Sequence, residues 1–305
     1  MDFNNFEELL ALVRGKTNKV VVPGANNSEV MAALRLGTEN GIISGGVLIG
    51  PEQQVRKMAA EAGLEPDKFR FIDGSEYQPM CEQAVDLVKS GEGDFLIKGL
   101  VDTKYYMKAI LRKEAKAVPE GSLLSHFALF QVHNYHKLFA LTDVAVVISP
   151  TLEQKAKIID NTVRMMRAIG VECPKVSCIC PVEKVNPKIP SSVDADQLVK
   201  MNRNGGIRNC HVEGPYDVYI AFSKKLAAEK LITDMQNPGE TDIALMPDLD
   251  AANASYKYMT LFGGAKNAAL LAGANIPVLL PSRADTSETK LNSIALACYL
   301  KGKKL

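Results

Sequence analysis

Short apolar runs of strand length alternate with longer stretches of helical period almost from end to end. NKVVVPG leads into SEVMAALRLGTENG, GGVLIG into PEQQVRKMAAEAG, FRFIDG into EYQPMCEQAVDLVKSG, and DFLIKG into TKYYMKAILRKEA. Four βα units in succession predict a parallel, doubly wound sheet, because strands apolar throughout, rather than at alternate positions, are buried on both faces. After PEGS the rhythm changes: HFALFQV, KLFALTD and AVVIS are strand-like runs with no helix between them, and a domain boundary is expected there. The long helix TLEQKAKIIDNTVRMMRAIG follows. A mixed sheet then continues through KVSCIC, the proline-broken loop PVEKVNPKIPSSVD, the helix DADQLVKMNRN, CHVEGP, DVYIAFSKKLAAEK, DIALMPD and LDAANASYKYMTLFGG. Finally AALLAG, IPVLLPSR and a last helix recover the early rhythm, so the α/β class is expected throughout.

With 305 residues the chain can form two domains and a core that needs no disulfides. A formal net charge of +1 supplies no basic field to draw it toward nucleic acid or an acidic membrane. The opening MDFNNFEELLALVRGK mixes acids and bases in a short amphipathic pattern without the apolar core of a signal peptide. Nowhere do about 18 apolar residues run together, so a cytoplasmic location is expected. Cys81, Cys173, Cys178, Cys180, Cys210 and Cys298 lack CxxC spacing and read as buried free thiols.

In an open α/β sheet, ligands bind beyond the carboxyl ends of the strands, where helix N-termini offer free N–H groups and a favourable dipole to anions. IPVLLPSRADTSETKLNSIALA is such a junction. Asp285 and Glu288 fit an N-capping pattern, the helix is expected to begin at Thr286, and Ser282 and Arg283 are displayed just before it. An arginine there either forks onto phosphate or carboxylate, or pairs with Asp285 and ties the loop. Three further junctions share this character. Lys98-Gly99 leads through Asp102 and Thr103 to a helix, with glycine permitting close backbone approach and lysine supplying a point charge. MPDLDAANASYK sets Asn253 and Lys257 four apart on one helical face, either as substrate contacts or as a solvated polar surface. Ser125 and His126 put a hydroxyl and an imidazole at the start of a strand.

Competing chemistries lack their signatures. No GxSxG elbow accompanies Ser125 and His126, and His126, His133 and His136 have no acidic or HExxH framework, so no metal is expected. GxxxxGK[ST] and GxGxxG are both missing, and GANNS after the first strand reads as a turn and helix cap.

Taken together, IKGLVDT, LLSH followed by LTDVAV, LEQKAKII, NPKIPSSVDADQL, VEGP, MPDLDAAN with the following YK, and PSRADTSETKLNSIALA resemble the phosphate butyryltransferase branch of the phosphate acyltransferases, relatives of phosphate acetyltransferase. The resemblance covers essentially the whole chain. It implies two three-layer α/β/α domains of the isocitrate and isopropylmalate dehydrogenase type with a cleft between them. The carboxy-terminal segment would fold back into the first domain, giving residues 1–119 plus 270–305 and residues 120–269. It further implies a homodimer or higher homo-oligomer that converts acyl-CoA and inorganic phosphate reversibly to acyl phosphate and CoA. These are substrates, and no tightly bound cofactor is implied.

On this resemblance Arg283 meets phosphate or the developing oxyanion and Ser282 hydrogen-bonds the same group; the base of the relatives is not carried over, and Asp285 or Glu288 could take its place. Lys98, Gly99, Thr103, Lys108, Ser125, His126, Asn253 and Lys257 are substrate contacts. The sequence departs from the family pattern at four positions. Thr289 replaces an aspartate that phosphate acetyltransferases carry seven residues after the serine, Lys108 and Pro119 stand where arginines are usual, and Tyr219 replaces an aspartate. These departures leave open a relative that binds CoA or acyl phosphate with lost or altered catalysis.

Overall fold

The computed structural model describes residues 1–232, 235–282 and 285–303 of the chain. The chain divides into two compact units, Phe6–Gly121 with Ala268–Lys303 and Met1–Asn5 with Ser122–Asn267. The first unit opens with α1 (Phe6–Val13), which buries Phe6, Leu9 and Val13 on one face. The βα units follow as the apolar pattern predicts: β1 (Lys19–Pro23) and α2 (Ser28–Glu39), β2 (Gly45–Gly50) and α3 (Glu52–Glu61), β3 (Phe69–Asp73) and α4 (Tyr77–Lys89), β4 (Phe95–Ile97) and α5 (Thr103–Leu111). The GANNS turn is a helix cap: Asn27 Oδ1 accepts the Val30 N–H at 2.9 Å, satisfying one of the donors that a helix start leaves over.

The second unit begins with an antiparallel pair, β5 (Ser125–Gln131) and β6 (Phe139–Thr142). Next, α6 (Leu152–Ala168) opens on a reciprocal capping box between Thr151 and Gln154. Then come β7 (Lys175–Ile179), α7 (Pro190–Arg203), β8 (His211–Tyr216), α8 (Val218–Phe222), α9 (Lys224–Glu229), β9 (Ile243–Leu245) and α10 (Leu249–Leu261). Within this unit the strand order is β5-β6-β9-β7-β8, parallel from β6 onward.

Two local readings of the sequence are corrected here. AVVIS forms no strand, because the Asp143 carboxylate accepts the N–H groups of Ala145, Val146 and Val147 at 3.0, 3.1 and 3.0 Å and so takes the donors a ladder would need. The helix read as starting at DADQ starts earlier: Pro190 occupies its first position, where a missing N–H costs nothing, and PSSVD joins α7.

The chain then returns through β10 (Lys266–Ala272), β11 (Val278–Leu279) and α11 (Ser287–Leu300). In the first unit the order is β3-β2-β1-β4-β11-β10, parallel except for the β10–β11 pair. Every residue of α11 from Lys290 to Cys298 is buried, and the helix packs on α1 and α2. Among the described residues no helix is long and apolar enough to cross a membrane. Five of the six free cysteines are buried, whereas Cys173 is exposed, against the expectation for it.

Candidate active site

In the first unit the parallel neighbours β1 and β4 end side by side, and a glycine follows each, Gly24 directly after β1 and Gly99 after Lys98 beyond β4. A Cβ on Gly99 would lie 2.1 Å from the Gly24 carbonyl oxygen, and one on Gly24 would lie 2.8 Å from the Leu100 carbonyl oxygen. No side chain fits at either position, so the two backbones meet directly: Leu100 N–H donates to Gly24 O at 2.6 Å and Gly99 N–H to Pro23 O at 3.1 Å. Lys98, the residue before this contact, is buried at 8% exposure. Its charge is felt by Cys81 on α4, whose thiol burial pushes up to about 12 while Lys98 pulls the other way. Asp102 caps α5 by accepting the Lys104 N–H at 2.8 Å. Thr103, the first helical residue, and Lys108, in the last turn, are both exposed.

The same strand end fixes the departure of the loop that carries Ser282. The Leu279 carbonyl, at the end of β11, accepts the Lys98 N–H at 3.2 Å and the hydroxyl of fully buried Tyr106 at 3.2 Å. Beyond it, Ser282 N–H donates to Asp285 Oδ2 at 2.7 Å and Asp285 N–H donates to Ser282 O at 3.2 Å. Arg283 lies outside the described residues. Thr286, not Asp285, is the N-cap of α11: its hydroxyl accepts the Thr289 N–H at 3.2 Å, and Ser287 is the first helical residue. Glu288 is exposed in the first turn. Lys290, which the sequence reading did not single out, is buried and donates through Nζ to the Asp285 carbonyl.

In the second unit Ser125 and His126 open β5, both buried. Asn161 of α6 donates to Ser125 Oγ at 3.1 Å and to Leu123 O at 2.7 Å. His126 N–H donates to Asp143 Oδ1 at 3.1 Å, and Thr142 Oγ1 donates to His126 O at 3.0 Å. Burial pushes the Asp143 carboxyl above its ordinary value, against the four backbone N–H groups that favour its charge. Asn253 of α10 donates to Val144 O at 3.0 Å and so belongs to this cluster rather than to a solvated face, while Lys257, one turn on, is exposed. Asp143 and Asn161 were not marked as site residues by the sequence, although LTDVAV, within which Asp143 lies, was among the motifs.

Two surface cavities lie elsewhere. One of about 600 Å³ sits between α2 and α3 beside Met31, Arg35 and Met58, and one of about 400 Å³ lies beside Lys224, Met235 and Glu240. Neither is lined by Lys98, Ser282 or Ser125.

The family described as phosphate acetyl/butaryl transferase matches residues 78–298. The chain is 38% identical over 301 residues to a phosphate butyryltransferase of Clostridium acetobutylicum, covering 98% of this chain and 99% of that one. It is 36% identical over 293 residues to a phosphate acetyltransferase of Thermotoga maritima, covering 95% and 98%. Its fold is similar to the crystal structure of a branched-chain phosphotransacylase from Enterococcus faecalis V583, with a TM-score of 0.84 at 26% identity over 94% of this chain and 99% of that one. The chain belongs to the phosphate acetyl/butaryl transferase family.

Proposed function

We propose that this protein is a phosphate acyltransferase that converts a short- or branched-chain acyl-CoA, butyryl-CoA before others, and inorganic phosphate to acyl phosphate and CoA. The observation that carries the reading is the 38% identity, over nearly the full length of both chains, with a phosphate butyryltransferase. In the proposed step a phosphate oxygen attacks the thioester carbonyl carbon, the carbon–sulfur bond breaks, and the proton of hydrogen phosphate ends on the departing CoA thiol. Phosphate is itself the nucleophile, so proximity and charge stabilisation carry the catalysis and no enzyme nucleophile or redox cofactor is required.

In this reading Arg283 and Ser282 bind phosphate and the developing oxyanion, and Lys98 adds a positive charge beside the backbone contact of Gly24 and Gly99. Thr103, Lys108, Ser125, His126, Asn253 and Lys257 contact the substrates. The Asp285 carboxylate accepts the Ser282 amide, and Asp285 or exposed Glu288 carries the proton. The protein works in the cytoplasm as a homo-oligomer.

The test is CoA release from acetyl-, butyryl- and isobutyryl-CoA, followed through the free thiol with and without phosphate. Release that requires phosphate, fastest with butyryl-CoA, is expected. Arg283→Ala should lower turnover by about a hundredfold, the usual cost of losing a donor to a developing oxyanion. Absent or phosphate-independent release overturns the activity and favours a binding relative. An Arg283→Ala variant with most of its phosphate-dependent rate removes that residue from the mechanism.

A further inference from the structure

Lys290 is 4% exposed. Lysine is almost never buried so deeply without partners, because an ammonium group loses its hydration there. Its Nζ donates to the carbonyl oxygen of Asp285, five residues back, across the first turn of α11. The same Asp285 accepts the Ser282 N–H through Oδ2 and donates its own N–H to Ser282 O. One buried cation therefore holds one residue, and that residue holds Ser282 by two hydrogen bonds. Burial pulls the ammonium down from its ordinary value, and the Asp285 and Glu29 charges push it back up. Glu29 stands in the first turn of α2, the helix on which α11 packs.

An apolar side chain at position 290 would fill this interior as well and would avoid desolvating a charge. What the lysine adds is a fixed hydrogen bond to the loop. We propose that Lys290 is a positioning residue for acyl transfer: through Asp285 it sets the place of Ser282, while touching neither substrate. The proposal rests on the reading of Ser282 as a phosphate contact.

The test compares Lys290→Met and Lys290→Arg with the wild type in two measurements. The first is amide hydrogen exchange, which needs no activity. Lys290→Met should speed exchange at Ser282 and Asp285 by about tenfold or more while amides of β1 and β4 keep their protection, because the loop then opens locally. The second is steady-state kinetics. In Lys290→Met kcat should fall by about tenfold to a hundredfold, the size expected for a small misplacement, with KM for butyryl-CoA within about twofold of wild type. Lys290→Arg, which keeps a cationic donor, should recover most of both.

Unchanged exchange at Ser282 and Asp285 in Lys290→Met overturns the proposal whatever the activity. Faster exchange with unchanged kcat in an active enzyme also overturns it, since the tie would then serve stability alone. A wild type without phosphate-dependent CoA release would refute the proposed function, and the role of Lys290 in transfer with it. The exchange measurement would still decide separately whether Lys290 holds the loop. Should Lys290→Met fail to fold, Lys290→Arg carries both measurements, and loss of loop protection and of kcat in that folded variant counts against a cationic donor as the feature that matters.

Discussion

A methyl group at position 99 would meet the Gly24 carbonyl oxygen at 2.1 Å and the Pro23 carbonyl oxygen at 2.8 Å, both of them backbone atoms that cannot swing aside. Gly99→Ala is therefore expected to destabilise the protein by about 2 kcal/mol or more, read as a lower urea midpoint, because overpacking against backbone forces the strand ends apart. A variant as stable as the wild type would show that β1 and β4 do not meet as described. Lys98 and Gly99 were legible as a dipeptide at a strand end, but Gly24 was not, because its partnership depends on which strand lies beside which. The Asp285 carboxylate was read as a helix cap; the shorter Thr286 hydroxyl takes that place, and Asp285 turns back to the Ser282 amide. Lys290 drew no notice in the sequence, since nothing in TSETKLNS says that the lysine faces inward.

Among the elements, the βα units of the first unit were legible because an apolar run followed by helical period is a local pattern that parallel burial enforces. AVVIS was misread for an equally local reason: composition favours a strand, but the preceding aspartate offers its donors a nearer acceptor. Elements of the second unit are also joined by charge. Glu240 pairs with Lys224 of α9, with Lys137 ahead of β6 at 3.6 Å and with His136 at 3.4 Å. Burial pushes its carboxyl up, but the hydrogen bond from Lys224 and the charges of Lys137, Lys224 and His136 outweigh that and hold it at about 2. A carboxyl depressed in the folded state adds stability that is present above its unfolded value and is lost as pH falls toward the folded one. The wild type should exceed Glu240→Gln by about 1–2 kcal/mol at pH 7 once solvent screening is allowed for, and the difference should vanish between about pH 5 and pH 2. Urea unfolding across that range checks it, and a difference that does not change with pH would contradict the assignment.

For the whole molecule, the order of the motifs made the family legible, since several long stretches in one sequence order specify far more than any single junction does. The acyl preference was less so, because it depends on the volume left by side chains from separate segments, which no local pattern encodes. In the proposed reaction phosphate attacks the thioester directly while both substrates are bound, with no acyl-enzyme between them. Initial rates of CoA release, measured against butyryl-CoA at several fixed phosphate concentrations, test it most directly. Double-reciprocal lines that intersect are expected, as a ternary complex requires; parallel lines, the mark of a covalent intermediate formed before phosphate arrives, would rule direct transfer out.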